Sequence, residues 1–345
     1  MNKKIISLIV PTFNMEKYLG RCLDSINNPE ILSKVQVIIV NDGSTDRSLE
    51  IAQVYESHYP NSFIIINKPN GHYGSCINEG LKHAAGKYFF ILEPDDWFDK
   101  KEFLSFIQSI ETIDVDMILT KFWTEKQNGK KHTTNKLKEI VPNIHYDFQN
   151  IDYHSTNLLS ILKTHGIIYK TELLKAMSYK QTEGVCYTDT EYCVYPLQYV
   201  KKIIYSDYIF YQYCIGREEQ SVSNISMQKN KSHFFVVINK ILNYFVLSSK
   251  DTATSVREIQ YGIITWLLRS YYLIILCTDK NDIDDEKLKN IDNLIKKIDL
   301  KLYEKVGDFK CYKVKFIKLW RNSGMYIPES KLTFFWVRLM NWFYN

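Results

Sequence analysis

The sequence predicts an α/β fold, in which a mostly parallel β-sheet with helices on both faces is followed by an all-α region. Over roughly the first hundred residues, short apolar runs alternate four times with segments of helical periodicity, which indicates a parallel sheet. Each apolar run ends in polar or glycine-rich residues, at the edge where open α/β sheets bind ligands. From about Met227 onward, apolar residues recur only at helical spacing.

The first four predicted strands are apolar throughout, as strands covered on both faces by helices should be. They are Ile5–Val10, Val35–Val40, Phe63–Ile66 and Tyr88–Leu92. Helical spacing or capping residues predict three helices between them, over Glu16–Ile26, from Ser44 or Thr45 to about Ser57, and over Cys76–Ala85, with Gly86 as C-cap.

The predicted elements after Asp99 are more irregular. We expect a strand over Asp114–Thr120, a polar loop or hairpin over Lys126–Lys138, a helix over Asp152–Leu162, a strand over Gly166–Tyr169 and two short strands within Ile203–Tyr213. The helices expected in the last third are Ser232–Leu247, Thr254–Cys277, Asp284–Ile298, Tyr303–Trp320 and Lys331–Tyr344. We therefore expect two domains, residues 1–223 and 224–345.

Composition narrows the class of protein. Seven scattered cysteines with no CxxC pair argue against a disulfide framework or a zinc site and favour a reducing cytosol. The apolar run at the N-terminus is too short for a secretory signal and is interrupted by Pro11. No apolar stretch reaches the roughly 20 residues that span a bilayer. Charge is uneven, at about +7 from Gly216 onward and about −2 before it, which favours a separate partner surface.

The fourth strand leads directly into Glu93-Pro94-Asp95-Asp96, and Pro94 forces a turn. Like charges this close repel, and burying them is costly without a counter-cation, so a bound Mg²⁺ or Mn²⁺ is one explanation. The alternative is a solvated acidic turn that caps the next helix. A nucleotide is the natural ligand for this edge, but GxxxxGK[ST] and GxGxxG loops are absent. Metal would then have to hold the diphosphate.

Four segments, taken together, resemble the family 2 glycosyltransferases: SLIVPTFNMEKYL, VIIVNDGSTDRS, NKPNGHYGSCINEGLKHAAGKY and EPDDWF. The resemblance is close from about Ile5 to Asp99 and looser to about Ser223. It implies the GT-A fold, a nucleotide-sugar donor, a Mn²⁺ or Mg²⁺ cofactor and inversion at the anomeric carbon by single displacement.

The resemblance also implies roles for single residues in donor binding. Phe13 would stack on uracil and Asp42 would accept a hydrogen bond from the base, although core packing and a turn acid are the respective alternatives. Lys68 could neutralise phosphate, and a solvated turn is its alternative. The donor-binding residues expected in full are Pro11, Thr12, Phe13, Asn14, Asp42, Lys68, Asn70, Gly71, Asn78, Asp95 and Arg217.

The resemblance places metal ligands in the acidic turn and a base elsewhere. Asp96, Asp95 and Glu93 are the expected ligands, although the commonest family pattern has Asp where this chain has Glu93. Asp189 falls where the family carries its general base, with Glu191 in reserve. Its alternative role is that of an acid at a helix N-terminus. Arg217 resembles part of a loop that closes over the diphosphate, and a solvated loop is the alternative.

The resulting interpretation is a glycosyltransferase that moves a sugar, most simply from a UDP-sugar, to a glycan or lipid-linked acceptor. Basic and aromatic residues in the C-terminal third suggest a peripheral contact with the inner face of the cell membrane, and an ordinary helical cap is the alternative. Nucleic acid is disfavoured because the acidic edge would repel phosphate. The rival functions are a catalytically weak nucleotide-sugar-binding protein and a nucleotidyltransferase. The oligomeric state is not indicated.

Overall fold

The computed structural model describes residues 4–126, 129–134, 137–216, 220–221, 223–248, 252–276, 285–310 and 315–325. The chain divides into two compact units. The sheet unit comprises Met1–Ile215 and Ala253–Val256, and the helical unit comprises Gly216–Thr252 and Arg257–Asn345. The division after Ile215 falls slightly before the expected boundary at Ser223.

The described part of the sheet unit contains a single sheet of ten strands. They are β1 (Ile6–Thr12), β2 (Val35–Asp42), β3 (Phe63–Lys68), β4 (Tyr88–Ile91), β5 (Trp97–Phe98), β6 (Met117–Lys126), β7 (Lys131–Thr133), β8 (His145–Asp147), β9 (Ile167–Lys170) and β10 (Lys202–Ile215). Their spatial order is β3-β2-β1-β4-β9-β6-β10-β5, with β7 beside β6 and β8 beside β10.

Strands β1 to β4 pair in parallel, as the alternation of strands and helices predicts. Strand β9 then pairs antiparallel with both β4 and β6, and β6 pairs in parallel with β10. The sheet is therefore mixed. Its parallel half brings the loops after β1, β2, β3 and β4 to one edge, and that edge carries the acidic turn, residues 93–96.

The helices described in the sheet unit, up to β10, flank this sheet. They are α1 (Leu19–Asp24), α2 (Pro29–Lys34), α3 (Ser48–His58), α4 (His72–His83), α5 (Lys100–Ile110), α6 (Tyr153–Thr156), α7 (Thr171–Ala176) and α8 (Asp189–Val194). Single 3₁₀ turns cover Phe148–Asn150, Leu158–Ser160, Thr164–Gly166 and Pro196–Tyr199. The apolar faces of α1, α2 and α5 pack on one side of β1, β2 and β4 to form the main core.

Two predicted elements differ from the structure. The two short strands expected within Ile203–Tyr213 are one long strand, β10, which stays paired with β6 on both sides of a register shift between Ser206 and Tyr211. The helix expected over Asp152–Leu162 is only the single turn α6. Asn157 ends it in the left-handed conformation with a φ of 57°, and a 3₁₀ turn follows.

The described part of the helical unit is all-α, as the periodicity predicts. Its helices are α9 (Asn224–Lys229), α10 (Lys231–Leu247), α11 (Thr254–Leu276, whose first residues to Val256 belong to the sheet unit), α12 (Asp285–Ile298), α13 (Leu300–Gly307) and α14 (Phe316–Asn322). The single helix expected over Tyr303–Trp320 is thus two helices. The helix expected over Lys331–Tyr344 lies outside the described residues.

Helix α11 is long and apolar enough to cross a bilayer by length and composition, contrary to our expectation that no stretch would be. Its most apolar window has a mean hydropathy of 1.3, and 67% of that window is buried inside the structure. The same properties are found in core helices, so this helix alone does not indicate a membrane protein.

A buried ion pair lies at the centre of the helical unit. The Asp292 carboxylate is fully buried and accepts hydrogen bonds from Arg321, from Nη2 at 2.6 Å and from Nε at 2.9 Å. The Tyr272 hydroxyl donates to the same carboxylate. The Arg321 guanidinium also lies 3.5 Å from the centroid of the Tyr303 ring. Every charge in this cluster therefore has a partner.

Candidate active site

The loops that follow β1 and β2 are tied together by backbone-to-side-chain hydrogen bonds. Asn14 has a φ of 52°, donates from its backbone N to Ser44 Oγ at 3.0 Å, and accepts at Oδ1 from Thr45 N at 2.8 Å. Glu16 N donates to Asp46 Oδ2 at 2.9 Å. These bonds fix the loop that presents Phe13, whose side chain is 45% exposed and therefore accessible for stacking.

Pro11 and Thr12 precede this loop and are buried in β1. The Thr12 hydroxyl donates to the backbone oxygen of Val10 at 3.1 Å. Pro11 and Thr12 are therefore part of the buried end of β1. Any contact with a base or ribose stays a prediction.

Asp42 and Lys68, expected to contact the base and a phosphate, contact each other. Asp42 is buried, and its Oδ1 accepts from Lys68 Nζ and, at 2.9 Å, from Gly71 N. Lys68 Nζ also donates to Ser75 Oγ at 2.8 Å. A Cβ on Gly71 would lie 2.7 Å from Ser75 Oγ, so a larger residue there would displace the Ser75 side chain. Asn70 is exposed beside it and accepts from His72 N at 3.3 Å.

Asn78 holds a later segment of the chain against α4. Its Nδ2 donates to Gln181 O at 2.9 Å and to Glu183 Oε1 at 2.8 Å, while its Oδ1 accepts from Gln181 N at 2.8 Å. A Cβ on Gly74 would lie 2.1 Å from Thr182 O, so the two backbones meet there. Asn78, expected to bind the donor, thus contacts the backbone of Gln181, and its contact with a donor stays a prediction.

Asp96 fastens the acidic turn to β10. It has no exposed surface, and its oxygens accept from Cys214 N and from the Tyr211 hydroxyl, each at 2.8 Å. Burial raises the pKa of Asp96 well above its usual range. The expected metal contact of Asp96 would have to come from a side chain that solvent does not reach. Asp95, which is 9% exposed, lies nearer the surface.

Arg21 fixes the turn from the other side. Its Nη2 donates to the backbone oxygen of Asp95 at 2.8 Å, and its guanidinium lies 3.8 Å from the centroid of the Trp97 ring. This role could not be predicted, because in sequence Arg21 is one charged residue within a predicted helix. Arg21 therefore holds the backbone of Asp95 in place.

Glu93 is linked to Tyr73, at the start of α4. The Tyr73 hydroxyl donates to Glu93 Oε1 at 2.7 Å. Burial raises the pKa of Glu93 to about 7; the hydrogen bond from Tyr73 opposes this rise and the negative charge of Asp189 adds to it. Since Asp189 acts on Glu93, acids from two distant segments share one electrostatic environment.

Asp189 and Glu191 differ in accessibility, and this separates the two candidate bases. Glu191 has no exposed surface, and its carboxylate accepts from Thr182 N and Thr182 Oγ1, both at 2.7 Å, and from the Tyr195 hydroxyl at 3.1 Å. It therefore anchors the segment before α8. Asp189, the first residue of α8, has an exposed side chain.

The pKa of Asp189 is raised by the surrounding protein, which desolvates its carboxylate. The amide of Thr190 and the positive charge of Lys163 oppose this rise. Lys163 directly precedes the 3₁₀ turn that packs against α8, where Thr164 Oγ1 lies 4.0 Å from Cys193 Sγ. Lys163 was missed because it lies in a stretch predicted only as the end of a helix or a loop.

His165 and Tyr213 complete this side of the edge. Their rings lie 4.0 Å apart between centroids, and His165 Nε2 is 3.7 Å from Asp96 Oδ2. Burial lowers the pKa of His165 to about 3, so the ring is neutral at pH 7. Burial also raises the pKa of Tyr213, and the charges of Asp96, Asp189 and Glu93 add to this rise. The pKa of Tyr213 is therefore affected by all three acids.

Arg217, expected to reach the diphosphate, lies outside the described residues. Within the described residues, no cluster of three or more histidines, cysteines, aspartates and glutamates could hold a metal ion. Mg²⁺ commonly binds one or two carboxylates and completes its shell with water and substrate phosphates. The acidic turn fits a cation of that kind, shared with a diphosphate, and not a metal site made by protein alone.

The model of the family "Glycosyl transferase family 2" matches residues 7–178, which include β1 to β4, the acidic turn and β9. The chain belongs to glycosyl transferase family 2. The match confirms the family expected from the four segments. The matched residues include the edge of the sheet that carries Phe13, Asp42 and the acidic turn. Asp189 lies beyond the matched residues.

Two relatives from Bacillus subtilis (strain 168) resemble this family 2 chain in sequence. The minor teichoic acid biosynthesis protein GgaB is 36% identical over 135 residues, which are 38% of this chain and 15% of GgaB. The uncharacterized glycosyltransferase EpsJ is 30% identical over 134 residues, 39% of this chain and 38% of EpsJ. The matches thus span well under two thirds of either relative.

A solved structure resembles the whole family 2 chain. S. aureus TarS 1-349 in complex with UDP-GlcNAc superposes with a TM-score of 0.65 over 94% of this chain and 93% of that one, at 20% identity. The likeness confirms the expected fold class, a GT-A domain with a C-terminal helical region. At this identity it is a likeness of fold alone.

Proposed function

We propose that this protein transfers a sugar from a UDP-sugar to a glycan or lipid-linked acceptor during synthesis of a cell-surface polymer, with inversion at the anomeric carbon. The observation that carries the proposal is the convergence of acids from two distant segments. Glu93 and Asp95 follow β4, whereas Asp189 begins α8. Glu191 of α8 accepts from Thr182, the backbone of Thr182 meets Gly74 of α4, and Tyr73 of α4 donates to Glu93 at 2.7 Å. Family membership supports the reaction type.

The donor would lie along the edge where the parallel strands end. Strands β1 and β4 are parallel neighbours, so Phe13 and Asp95 follow adjacent strand ends. Phe13 would stack on the base through its exposed ring. Asp95, with Glu93 beside it, would hold a Mg²⁺ or Mn²⁺ ion. That ion would stabilise the negative charge of the departing diphosphate.

Asp189 would act as the general base. Its carboxylate would accept the proton of an acceptor hydroxyl while that oxygen attacks the anomeric carbon and the nucleoside diphosphate leaves from the opposite face. Desolvation raises the pKa of Asp189, which makes the carboxylate a stronger base than a solvated one. Lys163 would keep enough of it ionised at neutral pH.

The choice of donor and acceptor rests on the relatives. TarS has been crystallised with UDP-GlcNAc, and GgaB is named for minor teichoic acid biosynthesis. The positive charge of the chain from Gly216 onward would suit an anionic membrane surface at the cytoplasmic face. Sedimentation with vesicles containing anionic lipid tests this last part, and loss of binding at high salt is the expected signature.

Thermal unfolding with a panel of nucleotide sugars, with and without Mn²⁺, tests the proposal. A UDP-sugar at about 100 times its Kd should stabilise the protein by about 2.7 kcal/mol, and the effect should need Mn²⁺. Transfer to glycan acceptors is then assayed with the sugar that stabilises most. If no nucleotide sugar changes the melting temperature, the proposal is wrong; binding without any transfer would favour a catalytically weak binding protein.

A further inference from the structure

The hydrogen bond between Tyr73 and Glu93 joins two of the loops that form the candidate active site. Tyr73 lies in the first turn of α4, which follows β3, and Glu93 begins the acidic turn after β4. The hydroxyl donates to Oε1 at 2.7 Å, within the usual range for a hydrogen bond to a carboxylate. A single bond therefore couples the position of the Glu93 side chain to α4.

The rest of Glu93 is fixed by its backbone. Its N–H donates to the Tyr211 hydroxyl at 3.2 Å, and its carbonyl oxygen accepts from Cys22 Sγ at 3.6 Å. Within the described residues, Oε2 accepts no hydrogen bond, and the side chain is only partly buried. The carboxylate thus has one oxygen held by Tyr73 and a second oxygen that a ligand can use.

Tyr73 keeps its proton in this setting. A tyrosine hydroxyl ordinarily ionises only at about pH 10. It is therefore a hydrogen-bond donor at any physiological pH. Its neighbour Gly74 lies against the backbone of Thr182. This contact restrains the start of α4 and therefore the position of the Tyr73 hydroxyl.

Glu93 is one methylene longer than the aspartate of the commonest family pattern. A longer side chain has an additional torsion, and ordering it costs conformational entropy when a ligand binds. The bond from Tyr73 removes that freedom before any ligand arrives. Pre-organisation of this kind improves affinity without adding a new contact to the ligand.

We infer that Tyr73 is a positioning residue, which acts through Glu93 to orient the carboxylate that meets the nucleotide sugar and its cation. The inference rests on the proposed function. It assigns to Tyr73 no contact with substrate, so removing its hydroxyl should matter only while Glu93 is present.

A double-mutant cycle tests this with four proteins: wild type, Tyr73→Phe, Glu93→Ala and the double variant. The measurement is the Kd of UDP with Mn²⁺ by calorimetry, followed by the KM of the UDP-sugar and kcat. Tyr73→Phe should weaken binding about tenfold, the usual size for a hydrogen bond to a charged group. In the Glu93→Ala background the same substitution should have almost no effect.

Tyr55→Phe is a matched control. The Tyr55 hydroxyl donates to Asp24 Oδ1 at 2.8 Å, the same type of bond at almost the same length, between α3 and α1. This variant should leave the Kd of UDP unchanged. The Tyr55 hydroxyl also lies 3.2 Å from Gly20 O, so the melting temperature of Tyr55→Phe shows how much stability both bonds supply, for comparison with Tyr73→Phe.

The outcomes separate the inference from the proposed function. If wild type does not bind UDP, the proposed function is wrong and the inference has no ligand to act on. If wild type binds but Tyr73→Phe binds equally well, or if the two substitutions are additive, the inference alone is overturned. Should Tyr73→Phe fail to fold, Glu93→Ala by itself must weaken binding by about tenfold or more, and an unchanged Kd would overturn the inference.

Discussion

Carboxylates in the two units of this protein have different partners. In the helical unit, Asp292 is fully buried and bonded to Arg321 and Tyr272, and the Arg321 guanidinium lies over the Tyr303 ring. In the sheet unit, neither Glu93 nor Asp189 forms an ion pair with any lysine or arginine of the described residues. The surrounding protein desolvates both carboxylates and raises their pKa values.

We propose that this difference separates Asp292, which stabilises the fold, from Glu93 and Asp189, which serve a reaction. A desolvated charge without a counter-ion is expensive, so a sequence under selection for stability alone would pair it or replace it. Asp292 meets that demand within the protein. Glu93 and Asp189 do not, and the missing positive charge is what a cation and a reacting sugar would supply.

The largest effect is expected from Asp189→Asn. Loss of the general base should reduce kcat about 10²–10⁴-fold and leave the Kd of UDP unchanged. The pKa of Asp189 in the folded protein lies above the usual value, so its ionised form lowers stability at neutral pH. The variant should therefore be as stable as wild type at pH 7, or more so. That stability difference should vanish as pH falls below the usual pKa of an aspartate. Turnover near the wild-type rate would exclude Asp189 as the base.

Arg321→Met should lower stability and leave UDP binding intact, the opposite of what is expected for Asp189→Asn, which should lose turnover and keep its stability. It leaves Asp292 buried without its cation, which typically costs about 3–5 kcal/mol of the free energy of unfolding. UDP binding by the sheet unit should persist at temperatures where the variant is folded. Lys315→Met, which removes an exposed pair with Asp308, is the control and should leave the melting temperature almost unchanged. Equal melting temperatures for Arg321→Met and wild type would contradict the assigned role of the pair.

Asp95→Asn and Asp96→Asn test which aspartate of the acidic turn holds the cation and which stabilises the fold. If Asp95 holds the cation, its asparagine variant should lose at least about tenfold in Mn²⁺-dependent UDP affinity while remaining folded. Asp96→Asn should mainly lower the melting temperature, because its carboxylate accepts from Tyr211 and Cys214. The reverse result, with metal dependence lost only in Asp96→Asn, would restore Asp96 as the metal ligand expected from the sequence.

Lys163→Met should produce the smallest effect, a shift in pH dependence. Lys163 lowers the pKa of Asp189, so its removal should raise that pKa further. Activity needs ionised Asp189 and is lost as pH falls through its pKa. The acid limb of the kcat profile should therefore move to higher pH, while Lys163→Arg keeps it in place. An unmoved limb in Lys163→Met would show that this lysine does not act on the base.

The parallel half of the sheet could be predicted because its signals are local. Four apolar runs, each followed by a helical segment, define β1 to β4. Gly71 lies after the third run and Asp95 after the fourth, so the same pattern predicts their position at the edge of the sheet. The single strand β10 could not be predicted, because the residues across its register shift look like a break in sequence and only pairing with β6 makes them continuous.

The supporting residues of the candidate site were hidden for a similar reason. Arg21, Tyr73 and Lys163 are defined by what they contact across the fold, and a lone arginine, tyrosine or lysine in sequence carries no such information. From the sequence, Asp95 and Asp96 were both expected as metal ligands, and Glu191 was the reserve for Asp189. Burial separates the members of each pair, and burial depends on tertiary packing.

The central claim is that acids from separate segments meet at one edge of the sheet to bind a cation and a nucleotide sugar. The most direct test is anomalous diffraction from crystals grown with Mn²⁺ and UDP. We expect one Mn²⁺ peak within coordinating distance of the Asp95 carboxylate, with the uracil against Phe13 and the diphosphate on the side of Asp189. A nucleotide bound elsewhere, or a Mn²⁺ peak remote from residues 93–96, would contradict it.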